Sequence, residues 1–242
     1  MFARYRACEE GARIGMIRDV VHENITPDQL QQFRTNYDKV AKVGIARPFT
    51  YHRDWDYAMA ICNTTLRMED IVLEIGCACS YFVFYLALGV KIVYGIDAIY
   101  ASHTFEATAW LSTLRDYEAY NDGKVQVIVQ NAKVLAFPDN FFDKVFTFSV
   151  LEHFNNNDDI LCAGEVFRCL KPGGEFLGTV DYNPLSEHPH LTDPSCRAYT
   201  YESFCERIIQ STGFKLVGEV HLAPVPKCTD YIVAPLFFRL VK

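Results

Sequence analysis

The sequence predicts a doubly wound α/β fold: a mostly parallel, seven-stranded sheet behind an N-terminal helical extension. Three observations predict it. Continuous apolar runs recur from residue 71 onward, at Ile71–Ile75, Lys91–Ile96, Val125–Val129 and Lys144–Ser149. Such runs suit strands buried on both faces, as in parallel sheets. Helix-length segments lie between them, at Tyr81–Leu88, Ser102–Tyr117 and Asp158–Leu170, and this alternation is that of βαβ units. The chain has 242 residues, half of them apolar and 22% charged. It can therefore bury a core of that size without disulfide or metal staples.

The elements follow in order. Residues 1–68 read as a helical extension and 69–242 as the sheet domain. In the extension, Ile14, Ile17 and Val21 recur at helical spacing. Thr26 suits an N-cap, Pro27 the first helical position and Gln29 a capping box. Leu30, Phe33, Tyr37 and Val40 continue one apolar stripe that ends before Gly44. A further helix is expected over about Asp54–Arg67. Beyond the fourth strand, Lys171-Pro172-Gly173-Gly174 is expected to be a turn that stops a helix, with Glu175–Val180 resuming as a strand. Asp181–Tyr199, with Pro184, Pro189 and Pro194, reads as a long loop. A long loop at a strand's carboxyl end is a natural lid or acceptor pocket. A helix over Tyr201–Ser211 and strands at Phe214–His221 and Tyr231–Val241 close the fold.

Bulk composition narrows the function classes. The net charge is -7 with no basic run, which disfavours a nucleic-acid partner. The nine cysteines are odd in number and form no CxxC pair. With a charged start broken by glycine and no signal-peptide pattern, they are expected to be reduced thiols of a cytoplasmic protein. Cys77 and Cys79 stand two apart on an expected turn, where small side chains fit. No carboxylate or His cluster has metal-ligand spacing, so no metal is expected. The most apolar stretch, Tyr81–Tyr94, is interrupted by Lys91 and too short to span a bilayer.

A series of local patterns carries chemistry. Ile71-Val-Leu-Glu-Ile-Gly-Cys-Ala-Cys-Ser80 runs a strand into an acid, a glycine and small residues, then a helix. Small residues admit a ligand close to the backbone, and a helix start offers free N–H groups. Val93-Tyr-Gly-Ile-Asp97 ends the next strand on an acid, where a carboxylate can accept from both hydroxyls of a ribose. Asn131, after the third strand, has a side chain suited to an adenine edge. Phe137-Pro-Asp-Asn-Phe-Phe-Asp143, Val150-Leu-Glu-His153 and Lys171-Pro-Gly-Gly174 complete the series.

Together these motifs resemble class I S-adenosylmethionine (SAM)-dependent methyltransferases, particularly the branch of the ubiquinone and menaquinone biosynthesis methyltransferases. The resemblance covers about residues 55–181 well and the C-terminal strands loosely. It implies a Rossmann-like methyltransferase fold, SAM as cofactor, S-adenosylhomocysteine as product and a small-molecule methyl acceptor. It further implies that Glu74 and Gly76 line the methionine end, with Cys77, Ala78 and Ser80 in the loop that wraps it. Asp97 would hold the ribose, Ala98 would flank the adenine, and Asn131 and Ala132 would face its amine and ring. Thr147, Phe148 and Ser149 would border the sulfonium and the acceptor. Ala78 and Ser80 depart from the glycines usual in the family, and Asn131 departs from its more frequent Asp.

The sulfonium brings its own leaving group, so the protein supplies position and electrostatics. A base is needed only if the acceptor must lose a proton. His153 is the candidate by place and as an imidazole; the alternative is a structural residue of its turn. Tyr182, His188 and His190, at and within the long loop, are candidate acceptor contacts. A nicotinamide oxidoreductase would want G-x-G-x-x-G after the first strand, and residues 76–81 do not supply it. The other alternative is a SAM-fold binding or scaffolding protein without turnover, which the two replaced glycines motivate.

Overall fold

The computed structural model describes residues 28, 35, 51–77, 82–98, 123–183, 189–190, 193–222 and 234–242. The helices expected before residue 51 and over Ser102–Tyr117 lie outside these, apart from helical backbone at Asp28 and Thr35. In chain order the elements are α1 (Tyr51–Cys62), β1 (Ile71–Ile75), α2 (Phe82–Ala87), β2 (Ile92–Asp97), β3 (Val125–Val129), β4 (Phe142–Phe148), a 3-10 turn (Leu151–His153) and α3 (Asp158–Cys169). Then come β5 (Leu170–Tyr182), a hairpin of β6 (Pro189–His190) and β7 (Asp193–Arg197), α4 (Tyr201–Phe204), β8 (Lys215–Leu216), β9 (His221–Leu222) and β10 (Ala234–Val241). Residues 205–210 prolong α4 as π-helical turns.

The sheet order is β3-β2-β1-β4-β5-β10-β8, with β9 also paired to β10. The first five strands are parallel, and β10 runs antiparallel to β5, β8 and β9. The expected mostly parallel α/β sheet is therefore present. The expected strand Phe214–His221 is interrupted: Lys215–Leu216 and His221 pair with β10, Val217 donates its N–H to the Arg239 carbonyl at 2.8 Å, and Gly218 after it has φ +71°.

Both faces of the sheet are covered, which is why its strands read as unbroken apolar runs. Alternate residues feed two cores. Val72, Val93, Phe146, Phe148, Leu177 and Phe237 pack with α1 and α2. Leu73, Ile75, Val145, Phe176, Val180 and Phe238 pack with α3 and α4 on the other side. The acids at the start of α3, Asp158 and Asp159, sit at its positive dipole end.

The Lys171–Gly174 segment corrects one expectation. It lies inside β5, not between a helix and a strand. Leu170 pairs with Phe142, the register shifts, and pairing resumes with Glu175 opposite Lys144. Residues 171–174 loop out of the ladder with Gly173 at φ +77°, and the C-terminus fastens them. The Gly173 N–H donates to the Lys242 carbonyl, and the Lys242 N–H to that of Gly174, each at 3.1 Å. The expected loop over Asp181–Tyr199 likewise contains an antiparallel hairpin, with His190 opposite Asp193 and Pro189 opposite Arg197.

Candidate active site

Strand order reverses between β1 and β4, and in open α/β sheets ligands bind outside the carboxyl ends of the strands at such a point. The ends of β3, β2, β1 and β4 lie side by side there. Three interstrand steps of ~4.8 Å make a row about 14 Å long. Every described residue expected to touch the cofactor lies on this row, within three residues of a strand end.

At the end of β1, Glu74 is 2% exposed, in register with Gly95 of β2 and Phe146 of β4. Gly76 has φ +70°, a conformation that favours glycine. Its N–H and that of Cys77 both donate to the Ile96 carbonyl, at 2.8 and 3.0 Å, carrying the chain across the end of β2. Cys77 is buried, and its Sγ would stand only 2.8 Å from a Cβ on Gly95. The glycine of Tyr-Gly-Ile-Asp is thus required by packing against the β1 turn. A Cβ on Gly76 would overlap Val150 Cγ2 and come within 3.1 Å of Cγ1, so the loops after β1 and β4 touch at the reversal. Ala78 and Ser80 lie outside the described residues.

At the end of β2, Asp97 is half-buried and Ala98 exposed. The Asp97 carbonyl accepts from the Gln130 N–H at 3.1 Å, joining the ends of β2 and β3. Asn131 is exposed, and its Oδ1 accepts from the Lys133 N–H at 3.0 Å, holding a local turn. Ala132 beside it is buried. Sequence reasoning passed over Gln130, whose Oε1 is buried and has no hydrogen-bond partner among the described residues. It lies one position from the expected adenine contact.

At the end of β4, Thr147 is fully buried and its hydroxyl donates to the Ile75 carbonyl at 3.4 Å, tying β4 to β1. Phe148 is buried edge-on against Tyr57 and Phe82, with centroids 5.0 Å from each. Ser149 has φ +51° and donates its N–H to the Thr179 carbonyl at 3.0 Å.

His153 closes the 3-10 turn and is exposed. Its Nδ1 lies 2.9 Å from the Sγ of Cys196, on β7. Tyr182 ends β5 half-buried and bridges to Tyr199; His190 is on β6, and His188 lies outside the described residues.

Beside His153 stands a buried cluster that no local motif announced. Asp159 is 0% exposed and accepts from Arg197 at 2.8 Å, Tyr199 at 2.7 Å, and Arg207 at 2.8 and 2.6 Å. Burial acts to raise its pKa. The hydrogen bonds from Arg207 and Tyr199, with the charges of Arg197 and Arg207, outweigh that and hold it below the ordinary aspartate value. Burial, then the neighbouring carboxylate, push the Tyr199 hydroxyl far up. The cluster fastens the hairpin and α4 to the start of α3. Among the described residues, no group of His, Cys, Asp and Glu is arranged to hold a metal, and no helix is long and apolar enough to cross a membrane.

Residues 73–178 match the family model described as a methyltransferase domain. The ubiquinone/menaquinone biosynthesis C-methyltransferase UbiE of Hydrogenovibrio crunogenus is 35% identical over 98 residues, 40% of this chain and 34% of that protein. The chain spans about a third of the length of the curated relatives it matches. In fold it resembles the YcgJ protein of Bacillus subtilis, with a TM-score of 0.61 at 18% identity over 77% of this chain and 97% of that one. It also resembles the [4+2]-cyclase SpnF, with a TM-score of 0.62 at 17% identity over 79% and 81% of the two chains. Over residues 73–178 the chain thus matches a methyltransferase domain, and its sequence similarity lies toward the ubiquinone/menaquinone biosynthesis C-methyltransferases.

Proposed function

We propose that this chain transfers a methyl group from SAM to a small-molecule acceptor and releases S-adenosylhomocysteine. The observation that carries the reading is the row of strand ends at the β1/β4 reversal. An acid closes β2, a left-handed glycine follows β1, and a buried carboxamide oxygen follows β3. A donor is what the Gln130 oxygen lacks, and the adenine amine is such a donor, so the residues suit an adenosyl group. When bound, SAM supplies an electrophilic methyl on a positively charged sulfur.

The chain's own residues then bind and orient. Asp97 accepts from the ribose hydroxyls, with Ala98, Asn131 and Ala132 around the adenine. Glu74, Gly76, Cys77, Ala78 and Ser80 enclose the methionine end. Thr147 holds β4 against β1, while Phe148 and Ser149 border the transfer point. His153 and Tyr182, with His188 and His190 from the sequence reading, are the candidate acceptor contacts. Alignment of this kind contributes on the order of 7–11 kcal/mol to lowering a barrier.

Calorimetry with SAM and S-adenosylhomocysteine tests cofactor binding. Labelled SAM with a panel of small acceptors, hydroquinones included because the matched relatives are named for quinone biosynthesis, tests transfer. Absence of binding by the folded chain overturns the reading. Binding without turnover on any acceptor favours the second reading, a SAM-binding protein that does not methylate. The replaced glycines at Ala78 and Ser80 support that reading.

A further inference from the structure

The hairpin strand β7 is fastened at two adjacent residues. Arg197 reaches the fully buried Asp159 at 2.8 Å. One residue earlier, Cys196 presents its Sγ to His153 Nδ1 at 2.9 Å. Cys196 is 5% exposed, whereas His153 is exposed. The Arg197–Asp159 link, reinforced by Tyr199 and Arg207 on the same carboxylate, leaves the thiol little freedom to leave the ring. Of the two imidazole nitrogens, Nδ1 is engaged by this contact.

The direction of the contact follows from chemistry. A thiol taken out of water keeps its proton, because low polarity penalises the thiolate. Sulfur is a weak acceptor and a neutral imidazole nitrogen a good one, so the S–H donates to Nδ1. A neutral ring whose Nδ1 accepts carries its hydrogen on Nε2. We propose that Cys196 is a positioning residue that fixes His153 as the Nε2–H tautomer, making His153 a hydrogen-bond donor to an oxygen of the methyl acceptor rather than the group that takes its proton. The donor role rests on the methyl-transfer reading above; the tautomer does not. An N–H at this place selects acceptors that present a carbonyl or ionised oxygen to the strand ends.

The test is the imidazole nitrogen spectrum of the full chain, labelled with nitrogen-15, recorded by two-bond proton–nitrogen correlation at mildly alkaline pH. The sequence has seven histidines, and His153→Gln identifies the resonances of His153. The expected pattern is a pyridine-type Nδ1 and a pyrrole-type Nε2. Cys196→Ala should move Nδ1 upfield as the tautomers mix, and Cys196→Ser, which keeps a donor of similar size, should restore it. A protonated Nδ1 in the wild-type chain, or a Cys196→Ala spectrum identical to wild type, overturns the proposal. Neither cofactor nor acceptor is needed, so this failure is distinct from a failure of methyl transfer.

Discussion

Replacing Gly76 with alanine probes the reversal point directly. Two costs are built into that position. The backbone has φ +70°, where an L-residue with a Cβ pays about 1–2 kcal/mol. The added methyl would also overlap Val150 Cγ2 and stand 3.1 and 3.2 Å from Cγ1 and Cβ, well inside the ordinary 3.5–4.0 Å carbon contact. Overpacking of this kind costs about 1–3 kcal/mol. Gly76→Ala should therefore lower unfolding free energy by about 2–5 kcal/mol in urea titration. The two parts separate in a double-mutant cycle. In a Val150→Ala background both Cγ contacts are gone and only the 3.2 Å approach to Cβ stays, so the cost should fall toward the backbone part, about 1–2 kcal/mol. Equal costs of Gly76→Ala in both backgrounds would refute the contact across the reversal.

Further outcomes follow from the buried charges and the strand ends. Asp159→Ala strands Arg197 and Arg207, whose side chains are 20% and 19% exposed; breaking such a pair costs about 3–5 kcal/mol, the partial exposure placing it at the lower end, readable as a reduced urea midpoint. Acid unfolding should lean on two carboxylates. Glu175 is buried, which alone would raise its pKa, yet hydrogen bonds from Thr64, Lys144 and Arg239 hold it below the ordinary glutamate value, as Asp159 is held below that of aspartate. A depressed carboxylate stabilises fully above its unfolded pKa of about 4, and that contribution is lost as pH falls through the lower folded value. Unfolding free energy measured downward from about pH 5 should therefore drop, and Asp159→Asn should flatten the drop. Asp97→Ala should weaken SAM binding by about 1–3 kcal/mol in calorimetry; unchanged affinity in a folded variant removes the ribose assignment.

Much of this architecture was legible because burial leaves a local trace. The apolar runs at 71–75 and 125–129 became β1 and β3 without change of bounds. The acids and glycine of the first two motifs fell at adjacent strand ends, since βαβ repetition brings successive carboxyl ends to one edge. What escaped the reading were features made by tertiary contact. Lys171–Gly174 has the composition of a stop, yet its flanks pair with the same neighbouring strand and the C-terminus fastens it from outside. Prolines in residues 181–199 spoke for a loop, but a two-stranded hairpin needs few ladder bonds and tolerates them. Cys196 and His153 are 43 residues apart, and Asp159 meets Arg197, Tyr199 and Arg207 at separations of 38 to 48. Side-chain pairing over such distances imposes no periodicity on either segment.

The interrupted strand beyond β10 has a consequence for how the molecule meets its own copies. An outermost strand with a long row of unpaired amides and carbonyls is a template on which a foreign chain can extend the sheet. Among the described residues that margin is two dipeptides, Lys215–Leu216 and His221–Leu222, separated by a bend at Gly218. Neither described piece is long enough to seat an incoming strand, so this stretch of the flank resists polymerising edge to edge.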